Sequence, residues 1–332
     1  GYPNTRMKIK LPEVVGIDGI ECISDLDEGS DNKGSGGVLK GFVYGKEYEF
    51  KISKYYKDRS LSDKIKKEIV WEYEYVNDNG EVVNVTQKEY SGEKFLLKID
   101  DLEMLGKEIC IYCHLGNKES GASISKFCHN RFRHLDRKTI ENQLINRKNS
   151  PWEIDQGGSS LCGVAIVGYY LARDSFDVYK NFIEDMHSKG EATLSNTKYK
   201  VKIDSDEHLL NYKTTDKEYP TQSDYSYASK SYPPIEEIDF VFMLTIKDFL
   251  NDVWDYDPNN ENSGGTIEGT TGLTLPFEIK QMFENINGYN TIENNTNLIT
   301  SKWEKASKSH GQFPMMLLLM AILVTFLENK QI

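Results

Sequence analysis

The residues with the clearest chemical potential lie in one run, Trp152-Glu153-Ile154-Asp155-Gln156-Gly157-Gly158-Ser159-Ser160-Leu161-Cys162-Gly163. A Gly/Ser turn running into an apolar helix puts Cys162 in the first helical turn, where unpaired amides and the helix dipole favour thiolate over thiol. Such a thiolate is a nucleophile suited to acyl transfer. Gln156 stands six residues earlier, so its side-chain amide can fold back and join the Cys162 backbone amide as an oxyanion-stabilising pair. A lone cysteine in a helix is ordinarily a small buried residue. The glutamine at this offset, the turn and the helix start together point instead to a nucleophile.

This run resembles the active-site segment of papain-like cysteine peptidases, where a Gln, a Gly/Ser-rich turn and a Cys-Gly helix start share the same spacing. It is also similar to thiol hydrolase domains of secreted bacterial effectors, in which Asn/Ser-Pro-Trp and Asp-Gln-Gly precede Leu-Cys-Gly. Ile238-Asp239-Phe240-Val241-Phe242-Met243, Asp255-Tyr256-Asp257 and Gly272-Leu273-Thr274-Leu275-Pro276-Phe277-Glu278-Ile279 fit that likeness. It spans most of residues 38–332, and its specific part is the cysteine segment. The resemblance implies a toxin made in the bacterial cytoplasm and exported without a cleaved signal peptide by a contact-dependent route such as type VI secretion. A protein or peptide in a target cell would be its substrate, and a cognate immunity protein its partner. Peptidase, amidase, acyltransferase and deamidase chemistry all use this thiol arrangement, so the bond cleaved stays open.

A papain-like site also needs a downstream histidine held by an Asn or Asp, and in the resembled families it opens the strand after the first long apolar core strand. That core strand is expected at Pro314 to about Thr325, and none of the seven residues after it is His. His310, just before it, is the late candidate for the base; otherwise the base lies outside these residues. His187 is expected at a helix end and His208 in a polar loop. Cys110-Ile111-Tyr112-Cys113-His114 has haem-attachment spacing and Cys128-His129 could add metal ligands, but an alternating strand turns Cys110 and Cys113 to opposite faces. Asp255 to Asn259 has calcium-loop chemistry, with Asn260 and Thr266 where Gly and Glu are needed. No phosphate-binding Gly-rich loop or dinucleotide fingerprint is present. Neither a cofactor nor a metal is expected.

Positioning such a site falls to the second of two expected domains. Residues 1–37, punctuated by Pro, Asp and Gly, read as a flexible N-terminal segment. Period-two and β-rich runs at 45–52, 69–76, 81–87, 94–99 and 107–115, with Asp78-Asn79-Gly80 as a hairpin turn, predict an immunoglobulin-like β-sandwich over 38–116. Residues 117–150 carry eight Lys or Arg against three Asp or Glu and read as a basic linker with a short helix near 139–145, or else a docking surface for an acidic partner. The second domain, 151–332, is expected to be the papain-like thiol hydrolase, with helices at 161–172 and 176–188, a helix at 276–286, a short one at 301–307 and a late strand. The class is multidomain: an all-β sandwich followed by an α+β domain, which is incomplete at its C-terminus if His310 is not the base.

Composition agrees with that class. A chain of 332 residues exceeds the usual size of one domain. A formal net charge of -12 argues against general nucleic-acid binding, which needs basic surface to displace counterions. Five cysteines at irregular spacing do not describe a disulfide framework. Gly1 to Lys10 lacks the apolar stretch of a signal peptide, and the apolar run Met315 to Leu327 is shorter than the ~20 residues of a membrane-spanning helix, so no span is expected.

Overall fold

Strands built on period-two alternation fill the first part of the chain, and helices with an apolar face dominate the part after residue 136. The computed structural model describes residues 15–87, 92–157, 159, 161–204, 207–222, 233–250, 276–290, 292, 315–319 and 323–327. The protein is mixed α and β with several separate sheets. It divides into two compact units, one holding the chain through Asp27 together with Lys40–Cys128, the other Glu28–Leu39 together with the chain from His129 onward.

The strands through residue 129 are β1 (Ile17–Cys22), β2 (Asp27–Ser30), β3 (Val38–Val43) and β4 (Glu47–Tyr55), then after a short helix α1 (Asp63–Lys66) come β5 (Ile69–Val76), β6 (Val82–Thr86), β7 (Lys94–Lys98), β8 (Glu108–Leu115) and β9 (Ala122–His129); all but β2 and the start of β3 belong mainly to the first unit. One sheet runs β1-β4-β7 and another β2-β3-β9-β8-β5-β6. Alternation sends Tyr48 and Phe50 of β4, Phe95 and Leu97 of β7, Trp71 and Tyr73 of β5, and Ile109, Ile111 and Cys113 of β8 into one shared core. The Trp71 and Phe95 rings stack across it with centroids 5.4 Å apart. The Asp78-Asn79-Gly80 turn closes the β5–β6 hairpin as expected. Gly80 takes φ 80° and the Asn77 carboxamide oxygen accepts from the amides of Asn79 and Glu81.

The second unit is mainly helical: α2 (Arg137–Asn149), α3 (Cys162–Asp174), α4 (Phe176–Lys189), the small hairpin β10 (Glu191–Thr193) and β11 (Lys200–Lys202), then α5 (Glu237–Asp239), α6 (Thr245–Leu250) and α7 (Pro276–Met282). A π-helical turn, Phe240–Leu244, joins α5 to α6 into one continuous run. Every residue from Glu237 to Asp248 is buried, the mark of a helix surrounded on all sides. Its Phe242 ring meets Tyr179 and Phe182 of α4, at centroid distances of 5.1 and 5.4 Å. It also lies against Gly168 of α3, where an added Cβ would come within 2.8 Å of the ring. The absence of a side chain at Gly168 thus permits the close packing of α3 on this run. Gly190 ends α4 in the left-handed conformation, φ 74°.

The structure differs from the sequence reading at three places. Residues 17–22 and 27–30, expected to be flexible, are strands. The glycine-rich stretch after them is tied down: the Asp31 amide donates to the Gly37 carbonyl, and the Gly34 amide to the Asp136 carboxylate. Residues 122–129, expected within the linker, form β9, which pairs with β8 through Cys110 and Ser125. Of the basic residues beyond it, Arg131 pairs with Glu207, Arg133 with Asn211 and Arg147 with Asp239, while Arg137, Lys138 and Lys148 are exposed. Local composition carries no record of such long-range pairing. In place of one late strand there are two short ones, β12 (Met315–Leu319) and β13 (Leu323–Leu327), paired antiparallel with Leu319 opposite Leu323.

Candidate functional site

Cys162 is the first residue of α3, and Leu161 at the N-cap offers no side-chain acceptor to the first-turn amides. The segment before it is a compact loop. Gly157 sits at φ 64°, and a Cβ there would come within 2.3 Å of the Thr221 carbonyl oxygen, so only glycine fits. The Gly157 amide donates to the Asp155 carboxylate at 2.8 Å, and the Ser159 hydroxyl and amide both donate to the Gln156 carbonyl. This folding returns the Gln156 side chain toward the helix start. Its Nε2 donates to Cys162 Sγ at 3.1 Å. An amide donor, a sulfur and the open end of a helix therefore occupy one place, an arrangement that can hold negative charge on sulfur or on an oxygen bonded next to it.

Beneath the loop lies a buried ion pair with no counterpart in the sequence reading. Arg147, near the end of α2, is fork-bonded to Asp239, with Nη1 to Oδ1 2.5 Å and Nη2 to Oδ2 2.9 Å; each side chain is 1% exposed. Nη2 also donates to Glu236 at 2.7 Å and to the Glu153 carbonyl at 3.2 Å, and Nη1 to the Tyr179 hydroxyl at 3.2 Å. Asp239 Oδ2 in turn accepts the Asp155 amide at 3.0 Å. Burial pushes the Asp239 carboxyl up, while the Arg147 guanidinium and the Asp155 amide pull it back down. A signal for the pair existed: Ile140, Leu144 and Arg147 share one face of α2, so a cation ends an apolar stripe, and Asp239 interrupts an apolar run.

The histidines divide as follows. His310 lies outside the described residues. His187 is buried at the end of α4 with Nε2 3.0 Å from the Leu135 carbonyl, and burial lowers it to about 4, which suits a neutral core imidazole. His208 begins a short 3-10 turn, His208–Asn211. Among the described residues, no histidine hydrogen-bonds to Cys162. Cys113 faces the core of its unit while Cys110 is half-buried on the other face, and burial raises both Cys113 and Cys128. Among the described residues no cluster of His, Cys, Asp or Glu could hold a metal ion, and no helix is long and apolar enough to cross a membrane. The acidic loop Asp255 to Asn259 and the helix expected at 301–307 lie outside the described residues. No protein-family model, curated protein or solved structure matches the chain.

Proposed function

We propose that this protein is a papain-like cysteine hydrolase of the secreted bacterial effector kind, with Cys162 as nucleophile and Gln156 as oxyanion donor. The observation that supports this most is the 3.1 Å approach of Gln156 Nε2 to Cys162 Sγ at the first turn of α3. In the proposed reaction the Cys162 sulfur bonds to the carbonyl carbon of a peptide or amide, and Gln156 donates to the oxygen that gains charge. The C–N bond breaks, the amine leaves with a proton from a general acid, and water then releases the acyl group from sulfur. His310 is the residue proposed for the acid and base role. The two-sheet unit, read as an immunoglobulin-like sandwich, would serve as adaptor or targeting module, and an immunity protein would cover the thiol site. Type VI delivery completes the reading.

A second reading has one observation of the sequence in its favour, that none of the residues 326–332 after the late apolar run is His: a papain-like fold that binds without turning over. Treatment with a peptidyl vinyl sulfone, read by intact mass and tryptic mapping, separates the two when paired with hydrolysis of a peptide amide library. The enzyme reading expects one adduct at Cys162 and hydrolysis lost in both Cys162→Ala and His310→Ala. An adduct with no hydrolysis by the parent chain supports the binding module. No adduct at Cys162 removes both.

A further inference from the structure

Arg147 and Asp239 hold the backbone just before Gln156 at two points. Arg147 Nη2 holds the Glu153 carbonyl at 3.2 Å and Asp239 Oδ2 the Asp155 amide at 3.0 Å, and the next residue is Gln156 itself. Among the described residues, bonds within the loop run from the Gly157 amide to Asp155 and from Ser159 to the Gln156 carbonyl. A buried charge pair is weak evidence for stability, because desolvating both ions offsets much of their attraction. This one has Glu236 and Tyr179 as further partners and directs its outward bonds to the backbone preceding the thiol.

We propose that Arg147 and Asp239 are positioning residues, a buried clamp that holds the Gln156 carboxamide on Cys162 Sγ. This rests on the reading of Cys162 as nucleophile and adds that its reactivity is set partly from below, through the backbone of Glu153 to Asp155. A side chain held through two fixed backbone points loses little freedom when it donates to sulfur, so the amide is in place before an electrophile arrives.

The test is a double-mutant cycle in the full chain, reading the second-order rate of Cys162 alkylation by iodoacetamide at neutral pH by mass spectrometry. Far-UV circular dichroism and the Tm of each variant report whether the mainly helical unit that holds Cys162 stays folded. The clamp predicts that Asp239→Asn and Gln156→Ala each slow Cys162 by a similar factor, on the order of tenfold, the scale of a misplaced catalytic group. Combined, the two should slow it no further than one alone, a coupling that general loosening would not produce. Should Asp239→Asn lose the helical signal, Glu236→Gln on the solvent side of the guanidinium replaces it, with a smaller effect and the same non-additivity expected. Fully additive effects, or an Asp239→Asn rate equal to the parent while Gln156→Ala is slow, overturn the clamp and leave the nucleophile reading standing. A Cys162 that reacts no faster than Cys22 in the parent, and is indifferent to Gln156→Ala, removes the nucleophile reading itself.

Discussion

At the scale of single residues, the Gln156 amide and the Glu237 carboxyl each support a measurable prediction. Gln156→Glu replaces a donor by a charge of the same sign as a thiolate, so it should slow vinyl sulfone labelling of Cys162 more than Gln156→Ala does. Labelling time courses check this, and equal rates in both variants and parent would show that the 3.1 Å contact has no chemical role. Glu237 accepts the Asp136 amide at 2.8 Å and is raised to about 8, by burial first and then by the Asp136 carboxylate. The folded protein therefore binds a proton there that the unfolded chain has released above about 4.5. The resulting stabilisation is complete below that ordinary value and is lost as pH rises through about 8. Glu237→Gln keeps an acceptor for the amide and should flatten this alkaline fall in Tm; parallel Tm-against-pH curves for variant and parent would contradict it.

Among elements, α3 and α4 were legible because their signals are local: a Gly/Ser turn, an apolar face and a terminal glycine. Strands β4 to β8 were legible through alternation and one Asn-Gly turn. The buried helical run from Glu237 to Leu250 was harder, since a segment apolar on all sides has no periodicity to read. Of the site, Cys162 and Gln156 were legible because six residues of chain connect them. Arg147 and Asp239 were not, because a contact across 92 residues leaves only an odd charge in each apolar pattern. The packing of α3 on the central run makes Gly168→Val a strict test of that arrangement. Even one added carbon would meet the Phe242 ring at 2.8 Å, so overpacking should cost about 1–3 kcal/mol, measured as a shift in urea midpoint. An unchanged midpoint would mean that the two helices do not pack this closely.

For the whole molecule, the chain passes between its two units three times, so the expected boundaries at 37, 116 and 150 do not coincide with compact parts. Ser30 and Gly34 bond the Asp136 carboxylate that caps α2, and Ile140 and Leu144 of α2 belong to the core around α3. A fragment starting at Pro151 would lose those two side chains and leave Asp239 buried without Arg147, a loss of roughly 3–5 kcal/mol for the broken pair alone. It should therefore melt without cooperativity by circular dichroism, and a cooperative melt near the full chain's Tm would contradict the division. The claim at the centre of the functional reading is that Cys162 alone among the five cysteines is placed to react. Burial raises Cys22, Cys113 and Cys128, whereas Cys162 meets a helix start and an amide donor. Brief iodoacetamide treatment of the folded chain at neutral pH, mapped by mass spectrometry, should modify Cys162 first and at least tenfold faster than Cys22, on the order expected of an activated thiol; labelling of Cys162 no faster than Cys22 would contradict the account.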